Sequence, residues 1–177
     1  MAVTHNNANF GTLGLAPDVT LTFDVVVFAG SNILGLIGVA WQSLGVSSLD
    51  TVTVNGVAAT FLQFNQDFVD DIHQFYIKNL VPGLNTVVVT WSGDNVVAVG
   101  GIVVLNGVDL VSPIGVFGVS GTSSIGPATK TLVGTTADSM VVETSALEGG
   151  SFISAMGKAH AERTGRNTRP PTHCRRL

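Results

Sequence analysis

Apolar and polar residues alternate along much of the first hundred residues, with the period of two that is typical of β-strands. In residues 20–27 every second residue, beginning with Leu21, is apolar, which predicts a strand with one buried face. Residues 33–41 are apolar or glycine throughout. This second pattern predicts a central strand that is covered on both faces.

Turn signals separate the apolar runs that follow. Asn55-Gly56 lies between residues 49–54 and 57–64 and predicts a β-hairpin, because both residue types tolerate a positive φ. Pro82-Gly83 ends a run at 72–80, and two more runs follow at 84–91 and 96–105. Gly100-Gly101 inside the last run predicts a β-bulge or a close backbone approach. Weaker strands are predicted at 114–119, 128–133 and 139–147.

The pattern gives about nine or ten short strands with turns every 8–12 residues, and no sustained helical spacing before residue 155. It predicts an all-β fold, an antiparallel β-sandwich of the jelly-roll type. The 177 residues fit one domain. We assign residues 1–157 to the sandwich, with 1–17 as an N-terminal arm or edge segment. Residues 158–177 are assigned to a basic tail that is extended or disordered.

Charge separates the tail from the body. Charged residues make up only 11% of the chain, and residues 1–157 hold two lysines against eleven acidic residues. Residues 158–177 hold Lys158 and every arginine against Glu162. The tail is interpreted as a disordered arm, as an end unrelated to the domain, or as a basic arm that docks on an acidic neighbour. Its candidate partner-binding residues are Arg163, Arg166, Arg169, Arg175 and Arg176.

Signatures of catalysis and of cofactor binding are missing from the sequence. It has no nucleophile elbow and no phosphate-binding loop, and its four histidines and Cys174 lack zinc-ligand spacing. We therefore expect a non-enzymatic protein with no catalytic residue and no cofactor. The weak metal candidate is a calcium site at Asp67, Asp70 and Asp71, because calcium binds carboxylates of flexible loops. The alternative for these three residues is a solvated loop.

The aromatic residues, the charge and the apolar stretches bear on three further partners: sugars, nucleic acids and membranes. Trp41, Tyr76 and Trp91 raise the hypothesis of sugar binding, but each lies in an apolar strand, where aromatic residues more often fill a core. The acidic body predicts no nucleic-acid partner. The apolar stretch 25–41 is interrupted by Gly30, Ser31 and Asn32, so we expect two strands and no membrane partner.

Several of these segments together resemble a known family. The segments are residues 47–60 with their Asn-Gly turn, 72–77, Pro82-Gly83, 85–93, 104–109 and Ser112-Pro113. They resemble a jelly-roll-like β-sandwich domain that is common in phage virion proteins and in bacterial surface proteins. Residues 138–147 resemble its next strand, so the resemblance covers about residues 33–147. The family usually adds one or two strands where this chain has its basic tail, so one sheet edge is expected to stay open.

The resemblance implies a virion structural protein, either a capsid decoration (cement) protein or a tail accessory protein. It implies a homo-oligomer, with a trimer favoured, whose partner is the major capsid or tail protein, and it provides no catalytic residues. The expected location is the virion, after synthesis in the host cytoplasm. The alternative is a carbohydrate-binding or adhesin module on a tail fibre or cell surface, and therefore an extracellular location.

Overall fold

The protein was analysed as a computed structural model, which describes residues 3–16, 19–43, 48–66, 70–93, 96–115, 140–148 and 153–161. All regular structure in these ranges is β-strand. The eleven strands are β1 (Thr4–Ala16), β2 (Thr20–Val27), β3 (Leu34–Ser43), β4 (Ser48–Val54), β5 (Val57–Ala58), β6 (Thr60–Gln66), β7 (Asp70–Lys78), β8 (Gly83–Ser92), β9 (Val96–Asn106), β10 (Met140–Glu148) and β11 (Ile153–Ala161).

Two antiparallel sheets pack against each other, so the predicted β-sandwich is confirmed. The five-stranded sheet has the order β1-β9-β3-β7-β6, and the four-stranded sheet has the order β2-β8-β4-β5. As predicted, β3 lies at the centre of its sheet, between β9 and β7. The jelly-roll subtype stays a prediction: the chain passes repeatedly between the two sheets, but β6 adds a strand beyond the eight of a jelly roll.

The main core fills the space between the two sheets. In β2 buried and exposed residues alternate without exception, which confirms the one-sided strand predicted there. The core consists mostly of β-branched and aromatic residues, which fit a pleated surface. Its largest side chains include Trp41, Trp91, Phe23 and Phe75. Each fully buried apolar side chain of this kind contributes about 1.5–3 kcal/mol to stability.

The Asn55-Gly56 turn has the predicted geometry, but the strand after it is divided. Asn55 has a φ of 50° and Gly56 a φ of 78°, the two positive values of a type I′ turn. The run at 57–64 was predicted as one strand. Instead, β5 stays in the four-stranded sheet and β6 joins the five-stranded sheet. The chain therefore crosses from one sheet to the other near Ala59.

Gly100 provides a close approach and not a bulge. The pairing of β9 with β1 and with β3 is regular across Gly100 and Gly101. A Cβ atom at Gly100 would lie 3.0 Å from Cδ2 of Leu21 and 3.2 Å from Cε1 of Phe23. The missing side chain thus leaves room for β2 residues of the facing sheet, and of the two predicted roles only the close approach is confirmed.

A second apolar layer covers the outer face of the five-stranded sheet. The β10–β11 hairpin lies against β3, β7 and β9 on this face. Met140 and Val142 pack there with the buried residues Leu34, Val103 and Leu105. The sequence pattern did not predict β11. The boundary drawn between residues 157 and 158 falls within this strand, which continues to Ala161.

Asparagine side chains join the edge strands β1 and β2 across one side of the sandwich. The side-chain amides of Asn7 and Asn9 donate to the carbonyl oxygens of Val26 and Asp24, at 2.7 and 2.6 Å. Asn6 forms two bonds with the backbone of Phe28, donating to its oxygen and accepting from its nitrogen. The segment predicted as an N-terminal arm or edge segment is thus β1, at the edge of the five-stranded sheet.

Candidate interaction surfaces

Most of the predicted site residues lie outside the described residues. This applies to all five arginines of the tail and to Asp67, and also to residues 116–119 and 128–133 of the predicted weaker strands. Asp70 and Asp71 are the first two residues of β7. Within the described ranges, no group of three or more metal-ligating side chains comes together.

The aromatic residues considered for sugar binding are packed inside the fold. Trp41 and Trp91 are each 2% exposed and form an edge-to-face pair with ring centroids 6.2 Å apart. Tyr76 packs in the second apolar layer, with Nζ of Lys78 5.8 Å from its ring centroid. These three residues therefore fill core layers, which was the alternative considered from the sequence.

Two exposed aromatic side chains lie close together on β6 instead. Phe61 is 51% exposed and Phe64 is 53% exposed. Three residues apart in a regular strand, they would face opposite sides of the sheet. A register shift between Phe61 and Gln63 changes this, so that Phe61 pairs with Phe75 and Phe64 pairs with His73. The bulge therefore directs both phenylalanines to the same face.

We call Phe61, Phe64 and His73 the aromatic edge. The Phe64 and Phe61 rings lie 5.5 and 5.8 Å from the His73 ring, between centroids. Beneath them, His73 contacts Trp41 at 4.5 Å in an edge-to-face arrangement. A continuous series of ring contacts thus connects the exposed phenylalanines to the core, which holds them in place and limits the entropy they lose when a partner binds.

His73 provides the polar group of the aromatic edge. Its half-burial among aromatic rings lowers the pKa of the imidazole below the usual value of 6.5, because the rings exclude water that would solvate the charged form. The neutral ring keeps one donor and one acceptor nitrogen. On the opposite face of the sheet, the side chain of Gln63 donates a hydrogen bond to Gln74.

We expect the lowered pKa of His73 to make the protein less stable in mild acid. The unfolded histidine takes up a proton near pH 6.5, whereas the folded one takes it up only at lower pH. The neutral imidazole therefore makes its full contribution to the free energy of unfolding above the pKa of the unfolded histidine. This contribution is lost as the pH falls through the lower pKa of the folded histidine. Urea unfolding between pH 7.5 and 5 should show this loss, and His73→Gln should reduce it. His5→Gln, on β1, is the matched control; an unchanged pH dependence in His73→Gln would contradict the assignment.

A second exposed apolar surface lies at one end of the four-stranded sheet. Val26 of β2 and Leu84 of β8 are direct cross-strand partners, and both are exposed. The alternation of β2 continues to Phe28, whose side chain is also exposed. We call Val26, Phe28 and Leu84 the apolar corner. The two bonds from Asn6 fix the Phe28 backbone, so this surface is ordered by the same asparagines that join β1 to β2.

Neither surface was predicted from the sequence. Phe61 and Phe64 fell within the single strand predicted at 57–64, where their spacing indicated opposite faces. The alternation of β2 correctly placed Val26 on the exposed face, but the sequence did not group it with Phe28 and Leu84. The one available signal was composition, since the segment 60–66 has two phenylalanines and no charge.

Comparisons with protein-family models, curated proteins and solved structures found no match to this chain. The resemblance to phage and bacterial surface domains therefore remains a prediction from the motifs. Among the described residues, no helix has the length and apolar character needed to cross a membrane.

Proposed function

We propose that this chain is a non-enzymatic virion structural protein, a capsid decoration protein that binds the outside of the particle as a homo-oligomer. The observation that carries the proposal is the pair of exposed apolar surfaces on a charge-poor β-sandwich. A decoration protein needs contacts both with its own copies and with the particle. The aromatic edge and the apolar corner lie on different sheets, so one chain can use them at the same time.

Two further features support the proposal. The turn and strand motifs of residues 33–147 resemble domains of phage virion proteins, as described above. The asparagine bonds between β1 and β2 and the second apolar layer add support to the sandwich outside its main core. A module exposed on a particle surface benefits from such reinforcement, because it must stay folded there.

Co-sedimentation of the chain with intact particles of the virus that encodes it tests this function. The chain should bind to saturation at a fixed ratio to the major capsid protein. Leu84→Lys should weaken that binding at least about tenfold, because it places a charge in an apolar contact. Phe10→Lys, on the outer face of β1, should bind like the wild type. No binding to particles would overturn the proposal.

The alternative is a carbohydrate-binding or adhesin module, and one specific observation favours it. The exposed rings of Phe61 and Phe64 lie beside the imidazole of His73, which combines apolar faces with a hydrogen-bonding group. Binding to a glycan array that Phe61→Ala abolishes and Phe10→Ala preserves, together with no binding to particles, would replace the virion proposal by this one.

A further inference from the structure

We propose that β6 is the self-association edge of the protein and that its partner is β6 of a second copy, related by a twofold axis. The two β6 strands would pair antiparallel and join two five-stranded sheets into one. This inference deepens the homo-oligomeric part of the proposed function by naming its interface. It does not require that the oligomer bind a virion, so the two proposals can fail separately.

The composition of β6 is that of a strand that pairs with another strand. Thr60–Gln66 contains no charged residue, no proline and no glycine, and two of its seven residues are phenylalanines. Exposed edge strands usually carry charges or proline, which prevent unwanted pairing. An uncharged aromatic edge without such protection associates with other strands. The bulge near Leu62 is the one protective feature, and it also brings the two phenylalanines together.

The other edges of the sandwich are protected by different means. Strands β1 and β2 are joined to each other by Asn6, Asn7 and Asn9, whose side chains already occupy the carbonyl groups of Asp24, Val26 and Phe28. The remaining edge consists of β5, which is only two residues long, and of the part of β4 that β5 does not pair, which carries the charge of Asp50. Within the described part of the chain, β6 is therefore the one long edge of the sandwich that has a bulge as its sole protection.

A second copy suits this edge because β6 is self-complementary. In an antiparallel twofold pair, Phe61 of each copy can lie beside Phe64 of the other, which gives two aromatic cross-strand pairs. The absence of charge on β6 avoids direct like-charge pairs between two acidic bodies. The contact is smaller than the roughly 1,600 Å² of a standard interface, so we expect a reversible dimer.

Light scattering coupled to size-exclusion chromatography tests the interface on the full chain. The wild type should show twice the chain mass, with a dissociation constant on the order of 1 μM. Phe64→Lys should raise that constant at least about tenfold, since it places a lysine opposite Phe61 of each copy and removes both ring pairs. Phe10→Lys is the matched control, because Phe10 is 66% exposed on another edge strand. It should change the constant by less than about twofold.

Hydrogen exchange of the wild type keeps the test independent of any variant. Amides of Thr60–Gln66 should exchange more slowly at concentrations that favour the dimer than at high dilution, while those of β1 should not change. A monomer at all concentrations, an oligomer that Phe64→Lys leaves intact, or a trimer would overturn this inference. None of these results would affect the binding of the chain to particles.

Discussion

Replacing Trp41 with alanine should lower the free energy of unfolding by about 3–5 kcal/mol, a large part of the roughly 5–15 kcal/mol typical of a domain. Trp41 is almost fully buried on the central strand β3 and contacts the rings of Trp91 and His73. The alanine variant loses the transfer free energy of the indole ring and leaves a cavity that a close-packed sandwich cannot readily fill.

The same substitution should also loosen the aromatic edge. The Trp41 ring lies directly beneath His73, which in turn contacts Phe61 and Phe64. Urea unfolding monitored by circular dichroism measures the stability, and it does not depend on tryptophan fluorescence. Trp41→Phe should lose less stability than Trp41→Ala, because it keeps an aromatic ring in the core, and it provides a comparison if the alanine variant does not fold.

Phe10→Ala is the matched control for this experiment. It also removes a large aromatic ring, but from an exposed position, so the change in stability should stay within about 0.5 kcal/mol. A loss below about 1 kcal/mol for Trp41→Ala would contradict the placement of Trp41 between the two sheets.

The strands that the sequence predicted well are those whose apolar period agrees with burial. In β2, β7 and β8 alternate residues enter the core, and in β3 both faces are covered, so the pattern and the structure coincide. The Asn55-Gly56 turn was predictable because its positive φ values restrict the residue types it accepts.

The sequence failed where tertiary contacts decide the structure. The Ile153–Ala161 strand is mostly small residues, with Ile153 as its one β-branched residue, so its local β-propensity is weak. It is a strand because it pairs with β10 and lies against β3 and β9. The bulge of β6 leaves no local signal either, and without it Phe61 and Phe64 would not share a face.

Asn85→Leu should lower the free energy of unfolding by roughly 3 kcal/mol, at about 1 kcal/mol for each hydrogen bond lost. Asn85 is 1% exposed and is the buried polar side chain of the described core. Its amide nitrogen donates to the carbonyl oxygens of Val81 and Gly83, and its oxygen accepts from the Asn55 side chain, each at 3.0 Å. Leucine has a similar size, so the effect should come from the lost hydrogen bonds and not from a cavity.

The hydrogen bonds of Asn85 connect two turns of the four-stranded sheet. Asn55 accepts from the backbone nitrogen of Thr86 at 2.8 Å while it donates to Asn85, so the hairpin turn and the Pro82-Gly83 turn share one network. Asn55→Gly keeps the positive φ and removes the same shared bond. The double variant should therefore lose less stability than the sum of the two single variants.

Urea unfolding of the wild type, both single variants and the double variant measures this coupling. Thr22→Leu is the matched control, since it makes the same polar-to-apolar change on an exposed position of β2 and should alter stability by less than about 0.5 kcal/mol. If the two single losses add without coupling, Asn55 and Asn85 act independently and the shared network is wrong.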